Sequence, residues 1–205
     1  MQHNTIKNQL AGEQLPPVPP NTNPGLGRIQ LQNKTKNLAI TSMYAALYVT
    51  LIIVFMETSF GPIQLRIANV LIATVPLFGF AGVLGHTIGV LIGNIFSSSL
   101  GLIDLLNVIP SFIMTFIVHY TYKKTNNDYT VIATCIAYST ILGVTVGLML
   151  HYILDIPLII TIVTVAIGNA IASVLIGWPL FKLLKKIGIQ HWIGKEKTDR
   201  GKTGD

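Results

Sequence analysis

From Leu38 to Phe181 the chain is a succession of long apolar runs separated by short polar interruptions. Within these 144 positions the only Asp, Glu, Lys or Arg residues are Glu57, Arg66, Asp104, Lys123, Lys124, Asp128 and Asp155. A helix that crosses a bilayer needs about 20 apolar residues, so the pattern predicts an all-α membrane protein of six transmembrane helices. The first is expected from Leu38 to Met56, followed by a polar insert that ends at Arg66. Residues 67–103 hold no charge over 37 positions, room for two short spans broken between Pro76 and Gly82. The fourth is expected from Leu102 to Tyr120, the fifth from Thr130 to Leu154 and the sixth from Leu158 to Leu184. Short spans interrupted by Gly and Pro are where transporters place their binding sites.

The flanks set the topology. Lys34 and Lys36 precede the first span, Lys123 and Lys124 follow the fourth, and Lys182, Lys185 and Lys186 close the sixth. Basic residues gather on the cytoplasmic side, and these three groups share a side only if an even number of spans separates them. Six spans with both ends cytoplasmic meet that condition. Arg66, beside Glu57 on the outer side, breaks the rule and asks for a functional reason. Residues 1–37 contain five of the ten prolines with many Asn and Gln, and are expected to form a disordered cytoplasmic extension. Residues 38–186 form the membrane domain, and residues 187–205 a basic cytoplasmic tail.

Composition agrees: 51% of residues are hydrophobic, 11% charged, and the mean hydropathy is +0.60. A soluble domain carries about a quarter charged residues. Large soluble catalytic domains are excluded, and the net charge of +6 is read as a topology signal rather than a nucleic-acid footprint. The single cysteine, Cys135, has no disulfide partner. No zinc-protease, serine-hydrolase or prenyl-diphosphate motif is present, and Gly201-Lys202-Thr203 lacks the first glycine of a phosphate-binding loop. The chain is therefore expected to be no enzyme, to hold no metal or cofactor, and to leave any use of ATP to other subunits.

Small residues mark packing faces. Gly85, Gly89, Gly93 and Ser97 repeat every four positions, which lines them on one helix face and lets another backbone approach. Gly143, Gly147, His151 and Asp155 form a second such face that runs into polar residues. Ser42, Ala45 and Ala46 give the first span a small patch suited to a partner helix or to a neighbour in the same bundle. The segment Val90 to Asn94 with Ser98 is echoed by Val165 to Asn169 with Ser173, a pattern that an internal duplication of three plus three spans would leave. The intramembrane polar set is Glu57, Gln64, Arg66, Asn69, His86, Asn94, Asp104, Asn107, His151, Asp155 and Asn169. Such groups are costly in hydrocarbon and are expected to face the bundle interior or a watery cavity. Together they favour a polar small molecule over a lipid.

The stretch from Ser59 to Ile67, following Tyr44-Ala45-Ala46-Leu47-Tyr48-Val49, closely resembles the QueT family, substrate-binding (S) components of energy-coupling factor transporters. Further matches are Gly101-Leu102-Ile103-Asp104, Pro157-Leu158-Ile159-Ile160-Thr161-Ile162, Val165-Ala166-Ile167-Gly168 and Trp178-Pro179-Leu180. The resemblance covers residues 38–186. It implies a six-helix S-component bundle in a prokaryotic cell membrane that captures a scarce micronutrient, here a deazaguanine precursor of queuosine or archaeosine. It also implies a transmembrane coupling protein with two cytoplasmic ATPases, docked on the first helix through Ser42, Ala45 and Ala46. On this reading Gln64 and Arg66 cap the pocket and contact the carbonyl edge of the base, Asn69 and Asn169 line the walls, and Asn94, Asp104 and His151 are second-tier candidates. The family pattern has glutamate where this chain has Asn69 and Asn169, and this departure is read as a preference for an uncharged, nitrile-bearing base over the cationic aminomethyl form, unless Glu57, Asp104 or Asp155 supplies the missing charge.

Other readings are an S component for another vitamin, a self-sufficient secondary carrier, an intramembrane enzyme, or a membrane scaffold. Copurification with ATPases, ion-driven uptake by the lone chain, ligand turnover, and indifference of uptake to alanine at Gln64, Arg66 and Asn69 would mark them respectively.

Overall fold

The computed structural model describes residues 24–59, 65–97 and 101–190. All regular structure among them is helical: α1 (Pro24–Val54), α2 (Val75–Ser97), α3 (Val108–Thr125), α4 (Asp128–Leu154), α5 (Leu158–Ala170) and α6 (Gly177–Ile187). A single turn, Met56–Ser59, follows α1; 3-10 helices Ile67–Thr74 and Gly101–Asn107 lead into α2 and α3, and a π-helical stretch, Ile171–Ile176, joins α5 to α6. Among the described residues five helical stretches are long and apolar enough to cross a membrane: Leu31–Val54, Ile67–Phe96, Ile103–Thr125, Asp128–Leu154 and Leu158–Ile187. The burial pattern suits a lipid solvent. Ile159, Leu175 and Phe96 are exposed while Asn69, His86 and Ser111 are fully buried, as expected when polar groups must face the bundle interior.

The chain divides into two compact units, residues 1–36 and 37–205. In the first, α1 already begins at Pro24, within the stretch expected to be disordered. Proline suits a first helical turn because its missing N–H has no intrahelical partner there, and no further proline follows before Val54. The second unit holds everything described below.

The stretch from Ile67 to Phe96 is not a single rod. Gly79 has φ 66° and ψ −150°, a region essentially reserved for glycine, and the chain reverses there. The contacts of α1 establish the reversal. Thr41 Oγ1 donates to Ala81 O at 3.2 Å, and Cβ atoms placed on Gly85, Gly89 and Gly93 would lie 2.7 Å from Tyr44, 2.7 Å from Tyr48 and 3.3 Å from Ile52. α2 after Gly79 therefore runs parallel to α1. The preceding 3-10 helix runs antiparallel to it: Tyr44 Oη bonds Leu71 O and Thr74 Oγ1, and Tyr48 Oη reaches Asn69. Residues 69 and 89 thus stand at the same level beside Tyr48. The break lies inside the window expected from Pro76 to Gly82, and the partner of the glycine ridge is α1.

The second ridge seats α5. Cβ atoms on Gly143 and Gly147 would come within 2.7 Å of Ala166 Cβ and 2.5 Å of Ile162 Cγ1, so any larger residue would push the helices apart. Beneath it Tyr138, Leu142, Val131 and Cys135 pack with Phe181 and Val118. At one end of the bundle Asp128 accepts from Lys182 at 2.7 Å and Lys185 at 2.5 Å. The groups Lys123–Lys124 and Lys182–Lys186 consequently meet at the same end, which also receives the Gly79 reversal, since His119 Cε1 is the nearest atom to a Cβ at Gly79.

Candidate functional site

Two hydrogen-bond arms spread from one 3-10 turn. Asn69 N bonds Arg66 O at 2.9 Å, which closes the first turn of the 3-10 helix Ile67–Thr74 and brings the two residues close together. Arg66 Nη2 donates to Asn94 Oδ1 at 2.8 Å, and Asn94 Nδ2 donates to Asp104 O at 2.8 Å. Asn69 Nδ2 donates to Asn169 Oδ1 at 2.5 Å while Asn69 Oδ1 accepts from Tyr48 Oη at 3.1 Å. Asn169 Nδ2 then donates to Val165 O at 2.9 Å. One short segment thereby ties α1, α2, the turn before α3, and α5 into a single buried polar layer. Arg66, Asn69, Asn94, Asp104 and Asn169 are all buried, none more than 8% exposed.

A column of polar side chains continues inward from this layer. Ser173 Oγ donates to Asn169 O at 2.8 Å and shares a 3.2 Å hydrogen bond with Ser139. Tyr138 Oη donates to Ser111 Oγ at 3.3 Å. His86 stands between two tyrosines, edge-on to Tyr48 at 4.8 Å and to Tyr138 at 6.2 Å between ring centroids. It is fully buried, and among the described residues neither ring nitrogen has a hydrogen-bond partner. Among the described residues Asn107, 1% exposed, likewise has no partner for either amide atom. A buried polar group without a partner costs free energy; elsewhere among the described residues Ser59 Oγ, His119 Nδ1, Tyr122 Oη and Trp178 Nε1 are also buried without one.

The expected site residues divide accordingly. Arg66, Asn69, Asn94, Asp104 and Asn169 come together. Gln64 lies outside the described residues. His151 does not join them: it sits in the last turn of α4, where its Nδ1 bonds Ile156 O at 2.8 Å and its ring borders Tyr152. That position closes the α4–α5 loop around Asp155, whose φ of 53° forms the left-handed cap, so the polar end of the second glycine face is a helix cap. On α1, Ser42 and Ala46 are exposed, but Ala45 is buried against its own bundle; the exposed small face is narrower than the Ser42, Ala45 and Ala46 patch.

His86 and Asn107 belong to the polar set of the sequence yet were not among the expected ligand contacts. The available signals were that His86 is the only titratable side chain in residues 67–103, and that Asn107 follows Asp104 by three. Among the described residues no cluster of three His, Cys, Asp or Glu could hold a metal ion. A concavity of about 650 Å³, lined by Ile53 to Thr58, lies at the same end as Arg66, beyond the level at which Ile52 meets Gly93.

A family model described as QueT transporter matches residues 38–186. No curated protein and no solved structure matches the chain.

Proposed function

The chain belongs to the QueT transporter family, and from that premise we propose that it is the membrane subunit that captures a deazaguanine precursor of queuosine in the polar column below Arg66. The observation that carries this reading is the two-armed network from Arg66 and Asn69 to Asn94 and Asn169. It gathers planar amides and a guanidinium, groups that pair edge to edge with a nucleobase, in the dry interior of a helical bundle. The chain itself performs no chemistry on the ligand.

The finer features follow from the same residues. Six crossings arise if the stretch before Gly79 and α2 after it each count as one, with both chain ends on the basic, cytoplasmic side of a prokaryotic membrane. Arg66 then lies at the outer end, where its role in the network explains a cation that topology alone would disfavour. Energy comes from a coupling protein and two ATPases of an energy-coupling factor complex, the coupling protein resting on α1 where Ser42 and Ala46 are exposed.

Asn69 and Asn169 favour a neutral ligand. Two carboxylates at this contact distance would repel each other unless a proton or a cation lay between them, which suits an aminomethyl group. Two amides satisfy each other without a charge, which suits the nitrile-bearing base. An uptake assay tests the function: cells unable to make deazaguanines should accumulate labelled nitrile base only when this chain is expressed with a coupling protein and both ATPases. Equal accumulation by the lone chain driven by an ion gradient would assign it to the secondary carriers instead.

A further inference from the structure

The side chain of Asn107 is in an unusual state for its position. It ends the 3-10 helix Gly101–Asn107, and its backbone, φ −68° and ψ −15°, runs on helically into α3, so its side chain has no open first turn to cap. Among the described residues neither amide atom has a partner, although the residue is 1% exposed. A buried, unpaired Asn is costly. Such a group is retained where something other than the protein fills its bonds.

Its surroundings identify the place. Asp104, three residues earlier in the 3-10 helix Gly101–Asn107, receives Asn94 Nδ2 on its carbonyl, so Asn107 enters at the Arg66–Asn94 layer. One helical turn further, Ser111 Oγ accepts from Tyr138, whose ring packs nearly perpendicular to that of His86. Asn107 therefore heads the column of Ser111, Tyr138, His86 and Tyr48. The other amides there are engaged: Asn94 with Arg66 and Asp104, Asn69 with Tyr48 and Asn169.

Resting on the proposed deazaguanine ligand, we infer that the Asn107 carboxamide reads the lactam edge of the base, donating from Nδ2 to its ring carbonyl and accepting at Oδ1 from the adjacent ring N–H. A carboxamide presents one donor and one acceptor side by side, the complement of a lactam. The imidazole of His86 offers one group at a time to any one edge, and so suits a single contact deeper in the column.

The test is a cycle between protein and ligand, using purified full-length protein in nanodiscs. Binding of the nitrile-bearing deazaguanine is compared with that of its derivative methylated at the lactam nitrogen and of its derivative methylated at the pyrrole nitrogen. Wild type should prefer the unmodified base over the lactam-methylated one at least tenfold. Asn107→Ala removes the acceptor and opens space for the methyl group, so this preference should fall to within about threefold, while the preference against pyrrole methylation stays unchanged. Asn107→Ser, a second small replacement, should behave the same way if the alanine variant does not fold. A variant that weakens all three ligands by one common factor would make Asn107 merely structural and overturn the inference. Wild type that binds none of the three would overturn the deazaguanine reading itself, and this assignment with it.

Discussion

Asn69 and Asn169, one hundred residues apart in the chain, meet amide to amide, with Asn69 Nδ2 donating to Asn169 Oδ1 at 2.5 Å. The contact links the 3-10 helix Ile67–Thr74 to the end of α5. It places two neutral side chains where the resemblance would have had two carboxylates. Changing both, Asn69→Glu with Asn169→Glu, should turn the site toward cations. The expected outcome is at least a tenfold shift of relative affinity from the nitrile to the aminomethyl base, measured by competition binding; an unchanged ratio rejects the charge argument.

Gly79→Ala tests the chain reversal. No atom crowds a Cβ there, since His119 Cε1 is 3.9 Å away, so the cost comes from the backbone alone. A non-glycine residue in this region is strained by about 1–3 kcal/mol. The melting temperature in detergent should fall accordingly, and a melting curve identical to wild type would contradict the reversal at Gly79.

Gly147→Leu should do more damage by a different route. Its Cβ would already lie 2.5 Å from Ile162 Cγ1 and 3.1 Å from the Ile162 backbone, so α4 and α5 must separate. Overpacking of this kind costs about 1–3 kcal/mol or more. Because Asn169 rides on α5, ligand affinity should drop with stability, and Ile162→Ala in the same chain should restore part of both.

How much of this was legible beforehand depended on the kind of signal. Glycines at spacings of four predicted close helix contacts, and Gly85, Gly89, Gly93, Gly143 and Gly147 all make them. The break between Pro76 and Gly82 was legible because glycine and proline mark it. What the sequence could not supply was the partner of each ridge, or which buried amide would satisfy which. The pairs Arg66–Asn94 and Asn69–Asn169 are separated by 28 and 100 positions, and no periodicity encodes such distances. A polar residue that continues a glycine face reads as a pocket wall; in the structure the left-handed cap at Asp155 turns His151 onto its own loop, apart from the Arg66 layer. Asn107 stands in the intramembrane polar set, but with the fourth span expected from Leu102 nothing in the sequence separates it from the other buried amides.

The ion pairs at the basic end should matter little for stability. Lys182 is 46% exposed and Lys185 35% exposed at their side chains, and exposed pairs contribute about 0–1 kcal/mol. Asp128→Asn should leave melting nearly unchanged in high salt and lower it slightly in low salt. A large loss at both would place Asp128 in a tighter structural role.

The central claim is that the layer from Arg66 to Asn169 binds a neutral deazaguanine. Its most direct test is equilibrium titration of purified wild type and Arg66→Met in nanodiscs with the nitrile and aminomethyl deazaguanines, with riboflavin and thiamine as controls. Wild type should bind the nitrile base saturably and in preference to the aminomethyl base, bind neither control, and lose at least tenfold in affinity when Arg66 is replaced. Folded wild-type protein that binds neither deazaguanine, or an Arg66→Met variant with undiminished affinity, would contradict the claim.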